Sequence, residues 1–140
     1  MIKACVNWIK PKLEDEFCEY FENEYTQKYF KSKGLEFKNP EELSDFLRQG
    51  KLITICLAGL ARAANITLSS EAFEKDFSDP IYANSYKTMV KDVCEKEVLT
   101  LPAPILIQFG ETLFGFAGNR RINLAKNQDI PLKIWLVIHP

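Results

Sequence analysis

The sequence predicts an α+β fold, a small mixed sheet with helices packed on it, and three observations point there. Two strand-like runs, 105–109 and the alternating 112–117, flank Gly110-Glu111 and read as a hairpin with a two-residue turn. Asn39-Pro40-Glu41-Glu42 is a helix start, and the Gly50 stop after it leads into the β-rich run 51–57. The second hairpin strand ends at Gly118, where Asn119-Arg120-Arg121 opens a helix-forming stretch to residue 128, and the β-rich run 132–138 follows.

The elements follow in order. Residues 1–10 are short and mixed, with strand and irregular structure equally open. Pro11 suits the first turn of a helix. From 13 to about 31, Leu13, Phe17, Tyr20 and Phe21 keep helical spacing, acids at the start favour the helix dipole, and Ser32-Lys33-Gly34 ends the helix. In the next helix Asn39 caps, Pro40 takes the first helical position, Glu42 completes a capping box, and Leu43, Phe46 and Leu47 form the buried stripe. Residues 51–57 read as a strand, and 58–64 as a short helical turn carrying Arg62. Residues 65–82 read as loop and 84–96 as a helix with Tyr86, Met89, Val90 and Val93 inward. Pro102 and Pro104 bracket a turn, so that helix stops before them.

Composition narrows the function. The chain has 140 residues, 46% of them hydrophobic, with ten Phe, five Tyr and two Trp, which suffices for a real core in one domain, or in one domain with an extension. A net charge of −1 argues against a general nucleic-acid coat. The charge is uneven. Glu14, Asp15, Glu16, Glu19, Glu22 and Glu24 face only Lys12 over 11–24, and this acidic face reads as solvated. Arg120, Arg121, Lys126 and Lys133 face only Asp129 over 112–140, which suits an anionic ligand. Cys5, Cys18, Cys56 and Cys94 form no CxxC pair, and His139 is the only histidine, so a zinc site is not expected. Neither a signal peptide nor an apolar run approaching the ~20 residues of a membrane span is read, so a cytoplasmic, reduced protein with no membrane association is expected.

The arginine turn is the main functional candidate. A strand that turns at a glycine into a helix leaves the first helical N–H groups unpaired, and these groups with the helix dipole attract anions. Paired guanidinium groups match phosphate geometry. Two cations at a helix start cost stability unless an anion meets them, so their placement favours a ligand. Asn119 is read either as the helix cap or as a group at the ligand. The loop acids Glu71, Glu74, Asp76 and Asp79 are candidates for a metal ligand or general base, against plain solvation. The aromatic residues Phe17, Tyr20, Phe21, Tyr25, Tyr29 and Phe30 read as packing, with a partner surface as the alternative.

The text of 104–138 resembles the ParB/sulfiredoxin superfamily. The matching pieces are Pro104-Ile105, Gly118-Asn119-Arg120-Arg121, Leu124-Ala125-Lys126 and Ile130-Pro131. Weaker likeness extends upstream through 53–63 and 82–93. The resemblance implies a ParB/sulfiredoxin-like domain over 50–140 behind a helical N-terminal extension over 1–49. It implies a nucleotide site in which Gly118, Asn119, Arg120 and Arg121 hold the phosphates of ATP or CTP with Mg²⁺. Thr88 stands where a sulfiredoxin has a phosphate-contacting Ser, and Arg62 where it has an Arg; Ser85 and Asp92 fall on two further polar positions. Asn119 replaces the catalytic Cys of sulfiredoxins, so sulfinic acid reduction is not expected. The sequence ends at Pro140 without the helix-turn-helix of a partitioning ParB, so DNA clamping is not expected either. What remains is a stand-alone nucleotide-binding domain of the sort found in small phage and mobile-element proteins. It either transfers a phosphoryl group from ATP or CTP or senses a nucleotide or nucleic acid without chemistry, with nuclease action as a variant. In the sensing case it acts through a protein partner or a second copy held by the N-terminal helices.

Overall fold

The computed structural model of the chain describes residues 5–66 and 98–140. The helix expected over 84–96, with Ser85, Thr88, Asp92 and Cys94, lies outside the described residues, as do Glu71, Glu74, Asp76 and Asp79. The described elements run β1 (Cys5–Ile9), a 3₁₀ turn (Leu13–Glu16), α1 (Cys18–Phe21), α2 (Glu24–Ser32), α3 (Pro40–Leu47), β2 (Lys51–Ile55) and a second 3₁₀ turn (Leu57–Leu60). They continue with β3 (Val98–Pro102), β4 (Ile105–Phe109), β5 (Thr112–Ala117), α4 (Asn119–Asn127) and β6 (Leu132–His139). The class is α+β. Among the described residues no helix is long and apolar enough to cross a membrane.

The main sheet has the order β2-β6-β4-β5 and is mixed. The hairpin β4–β5 is antiparallel with Phe109 opposite Thr112, so Gly110-Glu111 is its two-residue turn, and Gly110 takes φ 61° there. From β5 the chain crosses through α4 to β6, which pairs parallel with β4 on the other side. β6 then pairs antiparallel with β2. Ile105, Leu106 and Ile107 of β4 are fully buried in sequence, as a strand covered on both faces requires.

A second, two-stranded sheet joins β1 in parallel to β3, with Val6 opposite Leu99 and Trp8 opposite Leu101. The strand β3 departs from the sequence expectation, which placed only a turn around Pro102. Its residues Val98-Leu99-Thr100 are β-formers, but their partner lies more than ninety positions away, and no local signal announces it. Pro102 ends the strand, and the chain steps to the main sheet at Pro104, whose carbonyl accepts from Trp135 N at 2.8 Å.

The single helix expected over 13–31 is instead three pieces. Asn23 takes an extended conformation and its side chain accepts from Thr26 N at 3.0 Å, so α2 has its own N-cap. Gln27 reaches back from α2 and donates Nε2 to the carbonyls of Tyr20 (2.7 Å) and Phe21 (3.2 Å) at the end of α1. Both ends of the break are thereby satisfied, which a local helical period does not reveal. The break redirects the aromatic side chains. Phe30 is fully buried, with the rings of Tyr20, Phe109, Phe114 and Phe116 centred 5.4 to 6.0 Å away. Tyr29 stacks on Phe114 at 4.4 Å, whereas Tyr25 is 56% exposed.

The second helix forms as its signals dictate. Asn39 Oδ1 accepts from Glu42 N at 2.9 Å, and Glu42 Oε1 accepts in return from Lys38 N at 3.0 Å. Leu43, Phe46 and Leu47 are buried. Trp135 of β6 donates Nε1 to Leu47 O at 2.8 Å, closing α3 onto the sheet, and any side chain at Gly50 would run into its indole. Residues on both sides of position 50 share one core, which includes Trp8, Phe30 and Leu47 together with Ile107, Phe114 and Ile134.

Candidate functional site

The site is built where β5 hands over to α4. Gly118 has φ 95° and ψ 24°, a left-handed conformation that side-chain-bearing residues avoid, and it is the N-cap of α4. A Cβ there would also lie 2.9 Å from Pro104 Cα, which is backbone and cannot swing aside. Glycine is thus required by conformation and by space. Asn119 is the first helical residue rather than the cap, which corrects the capping expectation. Its carbonyl accepts from the amide of the buried Asn123 at 3.0 Å, and no side chain at the N-cap position closes the helix start.

The two arginines diverge in role. Arg121 folds under the turn toward the N-terminal segment. Its Nη1 donates to Pro102 O at 2.7 Å and its Nη2 to Glu16 Oε1 at 3.2 Å. The side chains are only 13% and 19% exposed, which makes this ion pair largely desolvated. Burial pushes the Arg121 guanidinium below the usual arginine value, and Glu16 opposes that shift through its charge and its hydrogen bond. Arg120, the next residue back, is half-buried.

Glu16 and Glu19 are the residues of this candidate site that the sequence reading missed. They belong to an acidic face expected to be solvated, and both approach the arginines instead. Burial raises the Glu19 carboxyl above its ordinary value of 4.5, and the charge on Glu16 adds to this. Arg120 and then Arg121 pull it back down. The complementary charges of 11–24 and 112–140 were the available signal, but charge balance alone does not say which acid meets which base. Arg62 is exposed on the turn after β2, as expected of a surface arginine. That turn is tied to the middle of β5, not to the arginine turn: Ala64 N donates to Leu113 O at 2.7 Å, Gly115 N donates to Ala64 O at 2.8 Å, and Asn65 Nδ2 donates to Gly115 O at 2.8 Å. Thr88 lies outside the described residues, so the site the structure describes consists of Gly118 to Arg121 with Glu16 and Glu19.

Chemically, these features are of the kind that attract an anion. The turn combines a helix start whose N-cap residue offers no capping side chain with two guanidinium groups, and a carboxylate already engages one of them. Glu16 is held as a counter-ion by Arg121, so the pair does not supply oxygen ligands for a divalent cation. Among the described residues, no three His, Cys, Asp or Glu side chains cluster as metal ligands would. Compared with protein-family models, with curated proteins and with solved structures, the chain matches none.

The raised Glu19 pKa has a measurable consequence. The folded chain holds this proton more tightly than the unfolded chain. The stability it contributes is therefore present below the ordinary carboxylate value and is lost as pH rises through the higher folded value. Glu19→Gln is expected to be at least as stable as the parent at pH 7, with the two melting curves converging below about pH 4. A variant clearly less stable than the parent at pH 7 would show that the Glu19 charge is net stabilising.

Proposed function

We propose that the chain is a nucleotide-binding domain of the ParB/sulfiredoxin kind, in which the start of α4 receives the phosphates of ATP or CTP. The observation that carries this reading is the left-handed Gly118 opening α4 with Arg120 and Arg121 in its first turn. Helix-start N–H groups and guanidinium groups are the chemistry that receives phosphate, and here they belong to one turn of chain. The order of hairpin, glycine-arginine turn, helix and a closing strand parallel to β4 supports the family reading. Magnesium enters this reading bound to the triphosphate oxygens, not held by carboxylates of the chain.

Binding without turnover is favoured over phosphoryl transfer by one observation. Arg121 is committed to Pro102 and Glu16 rather than turned outward. A sensor of this kind acts through a protein partner or a second copy of the chain.

Arg120→Gln is the direct test, because Arg121 is committed to Pro102 and Glu16, and the Tm of the variant without ligand controls for any structural role of Arg120. With ATP or CTP and Mg²⁺ well above Kd, the parent is expected to gain a few degrees in Tm by mass action. Loss of a charge-assisted contact to phosphate, about 1.5–3 kcal/mol, should weaken binding in the variant by roughly tenfold or more. Absence of any shift in the parent across both nucleotides would overturn the proposal. Release of nucleoside diphosphate in the same incubation would restore phosphoryl transfer.

A further inference from the structure

We propose that Glu16 is an internal counter-anion of the arginine turn, which competes with phosphate for Arg121 and so gates the site. The inference rests on the nucleotide reading above and adds its regulation.

The Glu16 carboxylate comes from a segment 105 positions away in sequence and lies 3.2 Å from Nη2 of Arg121. Both side chains are largely removed from water. A carboxylate there satisfies the chemistry that a phosphate oxygen would satisfy: a monoanionic acceptor on a guanidinium beside a helix start. The segment that carries it is short but firmly seated. Leu13 and Tyr20, on either side of Glu16, are 5% and 4% exposed, and the Tyr20 hydroxyl accepts from Phe37 N at 3.0 Å. The backbone is therefore pinned at both ends, while Glu16 sits at the last residue of a 3₁₀ turn. Opening the site means that the Glu16 carboxylate leaves Nη2 of Arg121 while Nη1 stays on the Pro102 carbonyl. Glu19 lies in the field of the same arginines, and its carboxyl resists ionisation where it is.

An occupied Arg121 weakens external binding by the fraction of time the carboxylate is engaged. Removing that competitor should tighten binding even though it removes a contact from the folded chain. These two effects have opposite signs, and a merely structural ion pair would show only the second. The experiment measures ATP and inorganic triphosphate binding by calorimetry, and Tm without ligand, for the parent, Glu16→Gln, Glu16→Asp and Glu14→Gln. Glu14 is an exposed acid of the same turn and controls for the general loss of negative charge.

Glu16→Gln is expected to melt lower than the parent without ligand yet to bind triphosphate about tenfold more tightly. Glu16→Asp, one methylene shorter, should fall between them and serves if the glutamine variant does not fold. Glu14→Gln should match the parent in both measurements. Binding of equal or lower affinity in the Glu16 variants, with the parent binding normally, overturns the gate and leaves the nucleotide reading standing. An equal gain in Glu14→Gln also overturns it, since net charge would then be the cause. No binding by any folded variant, at either ligand, overturns the gate and the nucleotide reading together.

Discussion

Arg121→Ala is expected to destabilise the chain by about 2–4 kcal/mol, a drop in Tm on the order of 10 °C. The substitution removes two contacts at once. The carbonyl of Pro102 loses its donor at 2.7 Å, and the Glu16 carboxylate, 19% exposed, loses its counter-ion. Leaving a desolvated charge unpaired costs more than the intact pair contributes, because the desolvation penalty remains after the attraction is gone. The upper end of that range applies to fully buried pairs, and the residual exposure of this one pulls the expectation down. Arg121→Lys should recover part of the loss, since an ammonium reaches one acceptor but cannot span both with a planar fork. Urea denaturation of the three proteins checks this, and an alanine variant within about 0.5 kcal/mol of the parent would show that the contact adds nothing. Because Arg121 joins β3, the 3₁₀ turn at Leu13–Glu16 and α4, its alanine variant alone is a poor assay of ligand binding.

Phe30→Ala should be the most damaging single truncation in the core, at about 3–5 kcal/mol. Phe30 is fully buried at the end of α2, and rings from α1, β4 and β5 surround it at centroid distances of 5.4 to 6.0 Å. The surrounding strands are fixed by their ladders and cannot collapse onto the space the ring leaves, so the cavity term adds to the lost transfer energy. Phe30→Leu should cost roughly half as much, because it restores part of the volume. Tyr25→Ala is the contrast: its ring is 56% exposed and stacks on Phe114 at 6.4 Å, and its loss should cost about 1 kcal/mol or less. If Tyr25→Ala were the more costly change in chemical denaturation, the aromatic cluster would not be organised around Phe30.

The legible elements share a physical character. The hairpin 105–109/112–117, the capped helix Pro40–Leu47 and the glycine-arginine turn are each set by contacts among residues a few positions apart. The break at Asn23 was open to a local reading in principle, since Asn followed by a helical run is a cap, but the aromatic period across it concealed the signal. Asn119 misled in the opposite direction. It has the right side chain for a cap, but Gly118 turns left-handed one residue earlier and takes that position.

Other features have no local cause. β3 exists because β1 lies beside it, and β1 becomes a strand for the same reason. The acidic face of 11–24 looks solvated in one dimension because nothing in its neighbourhood opposes it. What the chain's residues determined unaided is the α+β character and the arginine turn, since caps, tight turns and hairpin registers depend on backbone sterics within one or two turns of chain. What tertiary structure alone decided is the division of labour at that turn, with Arg121 drawn inward onto Glu16 and Pro102. Which charges meet across 105 positions depends on how the whole core packs, and desolvation, the force that makes the meeting matter, exists only once that core has closed.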